Sequence, residues 1–253
     1  MMSNILDVSA PRLAVEGFDE VLREKVQEGQ SILLLGLPFS GKTTLGLQFL
    51  VSGLRSGEAG LMITTKDTPE TIRAKAGAFG WTLQAYEKRG MLRYIGCCSG
   101  PSAGIAQTGA EGARKDGNGQ LDKTALKVAL LVSEYCSENL KVRLVFDNVS
   151  TLLFYNDLCS VARFLHMLLG QLKAVGAMSM VIVESGVQDE QATNAVRSLC
   201  DGVLELSCQG QRRYIQGTLS LGSLERLPVR ISKNGLRLEK ETYEGQSSEH
   251  NLL

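Results

Sequence analysis

The sequence predicts an α/β protein: a mostly parallel central sheet with helices on both faces and antiparallel strands at its C-terminal end. Three observations lead there. Short apolar runs alternate with helical patterns about 10–18 residues long, which demands right-handed crossovers. The run Ser31–Leu35 feeds a glycine-bounded loop and then a helical pattern. Residues 202–240 break into several short strand-like stretches with no helical period between them.

Taken in order, "SILLL" at 31–35 reads as a strand and 41–55 as a helix. "GLMITT" at 60–65 is a strand, and 69–79 a helix opened by Thr68 as N-cap with Pro69 at its first position. A strand follows at 91–95, a helix at 123–138 and a strand at 142–146. A long helix at 158–175 precedes the strand at 178–183, and a helix at 188–200 closes the alternation. Segment 100–122, with six glycines and almost no large apolar residue, reads as a mobile surface loop. One domain is expected over 1–240, with a disordered tail over 241–253.

Composition narrows the function classes. The 253 residues are 43% hydrophobic, enough for a full core. Twenty-seven basic residues balance twenty-seven acidic ones, so no net field draws the chain to nucleic acid or to an anionic membrane. The most apolar long stretch, 161–183, is interrupted by Arg163, His166, Gln171 and Lys173, against a membrane span. The start lacks a basic region followed by an apolar one, so a cytoplasmic protein is expected. Six cysteines without a C-x-x-C pair read as buried, reduced thiols, and adjacent Cys97 and Cys98 point to opposite strand faces. His166 reads as a partly buried structural residue, and Trp81 as a plug between a helix end and the sheet.

The loop between the first strand and its helix, Gly36-Leu-Pro38-Phe39-Ser40-Gly41-Lys42-Thr43-Thr44, carries the chemistry. Gly36 and Gly41 permit backbone conformations that aim successive N–H groups at an anion. A helix beginning near Lys42 offers unpaired N–H groups and a positive dipole end to a β-phosphate. Lys42 reaches β- and γ-phosphate oxygens, and the Thr43 hydroxyl ligates Mg²⁺. Such a site also needs an acid at a neighbouring strand end to hold a water on the metal, and Asp147 in "KVRLVFDN" supplies it. Gly36, Pro38, Phe39, Ser40, Gly41, Lys42, Thr43 and Thr44 are therefore the expected nucleotide-binding residues, with Thr43 and Asp147 on Mg²⁺. Glu184, ending "MSMVIVE", is open to two readings: a replacement base or γ-phosphate sensor, or a strand-end acid facing solvent.

With these motifs placed, the chain resembles the KaiC-like branch of the RecA superfamily of ATPases over about residues 12–240. "GFDEVLREKVQEGQSILLLGLPFSGKTTLGLQFL", "TPETIRAKAGAFGW", "LVFDNVSTLLFY" and "CDGVLEL" carry the resemblance. It implies a RecA-type core, ATP as ligand, and assembly into rings, often hexamers, with ATP between neighbours.

Two departures bear on hydrolysis. The family usually places two glutamates before the Ser/Thr-Pro that opens the helix after the second strand, the first acting as base. Here Lys66 and Asp67 stand there. A charged lysine accepts no proton, and loss of a positioned base costs about 10²–10⁴-fold in rate. Asp67 is either a substitute base or a residue favouring the following helix N-terminus. The family also often has a late Lys-x-Arg that reaches the neighbouring site. The matching places hold Leu219 and Leu221. A trans-acting arginine is worth about 10³–10⁵ in rate. Arg212, Arg213 and Arg226 either compensate or are solvated surface.

Three functions are consistent with these residues: a slow ATPase whose cycle changes ring or partner contacts, a nucleotide-gated signalling scaffold, and a RecA-type recombination accessory. The third wants a basic DNA-binding loop, and segment 100–122 offers only Arg114 and Lys115.

Overall fold

The computed structural model describes residues 25–97 and 117–239. Its elements run β1 (Ser31–Gly36), α1 (Lys42–Arg55), β2 (Ala59–Thr64), α2 (Pro69–Gly77), α3 (Gln84–Lys88) and β3 (Leu92–Gly96). Then come α4 (Gly117–Ser137), β4 (Val142–Asp147), α5 (Val149–Tyr155), α6 (Leu158–Ala174), β5 (Met178–Glu184) and α7 (Glu190–Ser198). Four strands finish the described chain: β6 (Gly202–Gln209), β7 (Arg212–Leu219), β8 (Gly222–Ser232) and β9 (Gly235–Leu238).

All nine strands form one sheet, in the order β3-β2-β4-β5-β1-β6-β7-β8-β9. Strands β3 through β6 pair in parallel. From β6 outward the pairing is antiparallel. The expected architecture is thus the observed one.

The inner strands β1, β2, β4 and β5 are buried along almost their whole length because both faces are covered. Side chains alternate across a strand. Ile32 and Leu34 therefore join Met62, Val145, Met180 and Ile182 in the layer under Leu47, Leu50 and Leu54 of α1. Leu33 and Leu35 point the other way, packing with Leu144, Phe146 and Val181 against α4 and α6. Helix starts follow local chemistry. Thr68, Asn148, Asp157 and Asp189 each accept a hydrogen bond from the backbone N–H three residues on.

Three expectations change. Helix α4 begins at Gly117, inside the segment read as a mobile loop, because Leu121 is buried in register with Ala125, Val128 and Val132. The rest of that loop and the tail over 241–253 lie outside the described residues. His166 is exposed rather than partly buried, since Leu165, Leu168, Leu169 and Leu172 form the inner stripe of α6. Cys97 is buried as expected, but Cys136, Cys159 and Cys208 are exposed and Cys200 is intermediate. Burial pushes the Cys200 thiol up to about 12. Cys98 is outside the described residues.

One buried charge was not anticipated. Arg143 on β4 is 2% exposed and donates to both carboxylate oxygens of Glu58, Nε to Oε2 at 2.5 Å and Nη2 to Oε1 at 3.0 Å. Its Nη1 donates to the Phe49 carbonyl at 3.1 Å, and the guanidinium lies over the Phe49 ring. Gly53 makes room for it: a Cβ there would sit 2.5 Å from Arg143 Cδ.

Trp81 is buried, stacks on Phe79 with centroids 4.9 Å apart, and leaves Gly235 no room for a side chain. Gln48 of α1 then bonds both backbone groups of Leu236, at 3.1 and 2.7 Å, tying the terminal hairpin to the helix behind the loop.

Candidate functional site

The C-terminal ends of β1, β4, β5 and β2 converge on one crevice. Strand registry places Gly36 beside Glu184, Asp147 beside Ile182, and Thr64 beside Asp147. The loop after β1 therefore faces the acid ending β4, as a strand–loop–helix phosphate site requires.

Within the loop, Gly36 must lack a side chain: a Cβ would fall 2.5 Å from the Leu206 carbonyl oxygen and 2.6 Å from Ser40 Oγ. Gly41 has φ +108°, in the left-handed range that favours glycine. Phe39 adopts φ 64°, and its ring is 94% exposed. Pro38 is exposed beside it, while Thr44 is half-buried in the first turn of α1.

Lys42 is buried, and its ammonium donates to the carbonyls of Gly36 at 2.8 Å and Leu37 at 2.7 Å. Burial draws its pKa below the usual lysine value, against the opposing pull of Glu184 and Asp147. The Thr43 hydroxyl donates to Asp147 Oδ2 at 2.7 Å. Asp147 is itself buried, and desolvation raises its pKa while the Thr43 bond works against that rise.

These residues fit a magnesium-bound polyphosphate. Helix α1 begins with no side-chain cap and no acid in its first turn, leaving its positive end for an anion. Ser40 Oγ is buried without a protein partner at the same turn. A hydroxyl and a carboxylate 2.7 Å apart are hard oxygen donors of the kind Mg²⁺ takes, directly or through water.

The two acids considered for catalysis have different surroundings. Asp67 is drawn to Lys75, whose Nζ is 2.5 Å from Oδ2, and its backbone is fixed to the Thr64 hydroxyl at 3.0 Å. Glu184 lies 22% exposed, with Oε1 3.6 Å from Lys66 Nζ and 3.3 Å from Asn148 Nδ2. Neither Leu219, which is buried, nor Leu221, which is exposed, carries charge. Arg226 covers the Tyr214 ring at 3.9 Å and donates to Gln209.

Sequence reasoning assigned no role to Asn148, Thr65 and Ser150. Asn148 caps α5 and reaches Glu184. Thr65 Oγ1 bonds the Asn148 backbone at 3.1 and 3.2 Å. Ser150 Oγ accepts from the Glu184 backbone N–H at 2.8 Å. Together they fix the ends of β2, β4 and β5 to one another. The available signal was a cluster of small polar residues directly after a buried strand.

The sheet order, the glycine loop and the acid across from it define a RecA-like P-loop NTPase. A family model described as "ATPase: KaiC" matches residues 12–235, and the chain belongs to that family. A UPF0273 protein of Methanopyrus kandleri is 26% identical over 236 residues, covering 90% of each chain. The circadian clock oscillator protein KaiC of Synechococcus elongatus is 26% identical over 218 residues, 81% of this chain but 38% of that protein. Among solved structures, the KaiC-like protein of Pyrococcus horikoshii OT3 superposes with a TM-score of 0.73 at 21% identity, covering 91% of this chain and 99% of that one. Among the described residues, no helix is long and apolar enough to cross a membrane.

Proposed function

We propose that the protein binds Mg²⁺-ATP at the Gly36–Thr44 loop, hydrolyses it slowly, and uses occupancy to gate its contacts as a signalling or regulatory component. Assembly with copies of itself or related subunits, as a ring in the cytoplasm, belongs to the same reading. The observation that carries it is a complete binding set beside an altered hydrolytic one. Lys42, Thr43 and Asp147 meet in one crevice. At the position expected of a base stands Lys66, and Asp67 is paired with Lys75.

When bound, the magnesium would neutralise phosphate charge and orient the terminal phosphoryl group. The chain's own residues would supply the rest. Lys42 would turn from the loop carbonyls to phosphate oxygens, the amides after Gly41 would hold the β-phosphate, and Thr43 and Asp147 would hold the metal and its water. Of the two candidate bases, Asp67 accepts a direct hydrogen bond from Lys75 whereas Glu184 has Lys66 only at 3.6 Å, which supports Glu184 over Asp67 as a proton acceptor.

The test is ATP turnover by the purified protein measured beside nucleotide affinity. Micromolar binding with turnover well below about 1 s⁻¹ is expected. Turnover above that value would remove the regulatory reading in favour of an ordinary ATPase.

A further inference from the structure

We infer that Lys66 is itself a nucleotide-binding residue, whose ammonium takes the terminal phosphate of a triphosphate and makes the crevice discriminate triphosphate from diphosphate. This rests on the nucleotide reading above and deepens it.

Placement comes first. Strand β4 lies between β2 and β5, yet Lys66, two residues beyond β2, pairs with Glu184, the last residue of β5. Two strand spacings are about 10 Å. The Lys66 side chain therefore reaches across the end of β4, where Asp147 stands, toward the strand next to β1. That path crosses the mouth of the crevice, and the Lys66 charge is felt by both Lys42 and Asp147.

The segment is built to aim it there. Thr64 Oγ1 bonds both the N–H and the carbonyl of Asp67, closing a tight turn. Asp67 leaves on the side of Lys75, so its carboxylate does not compete for Lys66. The remaining partner is Glu184 at 3.6 Å, too long for a hydrogen bond, with the Lys66 side chain 48% exposed. An ammonium held this loosely is free to exchange one carboxylate for a phosphate, which carries more charge and three acceptor oxygens.

Specificity follows from position. Thr43 and Asp147 would hold the metal of a bound nucleotide, which would neutralise charge on its terminal phosphates. A terminal phosphate on the Asp147 side of the loop would come within reach of Lys66, and a diphosphate would present nothing at that place. The residue that replaces a hydrolytic base thus becomes a ligand that favours the unhydrolysed state.

The experiment is calorimetric titration of the full chain with a non-hydrolysable ATP analogue and, separately, with ADP. Lys66→Ala should weaken the analogue by about tenfold and ADP by less than about twofold. Lys66→Arg should restore most of the difference. Equal loss of both ligands, or no loss of either, overturns the inference while leaving nucleotide binding intact. Absence of binding to the wild-type protein overturns the nucleotide reading and this inference with it. Retained ADP affinity shows that the variant is folded.

Discussion

The Thr43 hydroxyl donates to Asp147 Oδ2 at 2.7 Å, joining the first turn of α1 to the end of β4 across 104 positions of sequence. That bond brings together the two oxygen donors proposed to hold a magnesium ion, and it does so at a cost. Asp147 is buried, so ionising it is unfavourable unless a cation arrives.

Asp147→Asn should therefore stabilise the protein without nucleotide by about 1 kcal/mol at pH 7, because the amide oxygen still accepts from Thr43. The sign follows from the raised pKa. The folded state holds that proton more tightly than the unfolded chain, so the penalty exists above the folded pKa and fades as pH falls through it. Thermal melts of wild type and variant should converge in acid, and the variant's nucleotide affinity should lose its magnesium dependence. A variant that melts lower at pH 7, or binds nucleotide with unchanged magnesium dependence, contradicts the assignment.

Lys66→Glu should raise ATP turnover at least about tenfold above Lys66→Ala, part of the 10²–10⁴ that a positioned base supplies. Both changes remove the cation, so the comparison isolates the gain of a carboxylate. Equal turnover in the two variants would mean that position 66 is not where a base acts.

Glu58→Ala should cost about 3 kcal/mol in chemical denaturation, because it strips the bidentate carboxylate from a guanidinium that is 2% exposed. Gly53→Ala should destabilise as well, since its methyl would meet Arg143 Cδ at 2.5 Å. A change below about 0.5 kcal/mol in both would mean that the buried arginine relaxes to solvent.

Much of the fold was legible because its inner strands are largely apolar and its longer helices carry one apolar stripe. Ile32–Leu35 and Val181–Val183 could be nothing but buried strand. The loop was legible because glycine, lysine and threonine at that spacing have few other uses. What escaped depended on contacts distant in sequence. Arg143 looked like an ordinary strand residue until Glu58, 85 positions away, closed on it. Asp67 looked equally fit as a base or as a charge favouring the following helix N-terminus, and only the packing of α2 put Lys75 beside it. Helix α4 ran through glycines that read as loop, since the burial of Leu121 outweighs their weak propensity.

The most direct test of a polyphosphate site at Lys42 is calorimetric titration of Mg²⁺-ATP into the wild-type protein and Lys42→Ala. Micromolar binding by the wild type, weakened at least about a hundredfold in the variant, is the predicted result. Equal affinity in the two proteins, or no binding to the wild type, would contradict it.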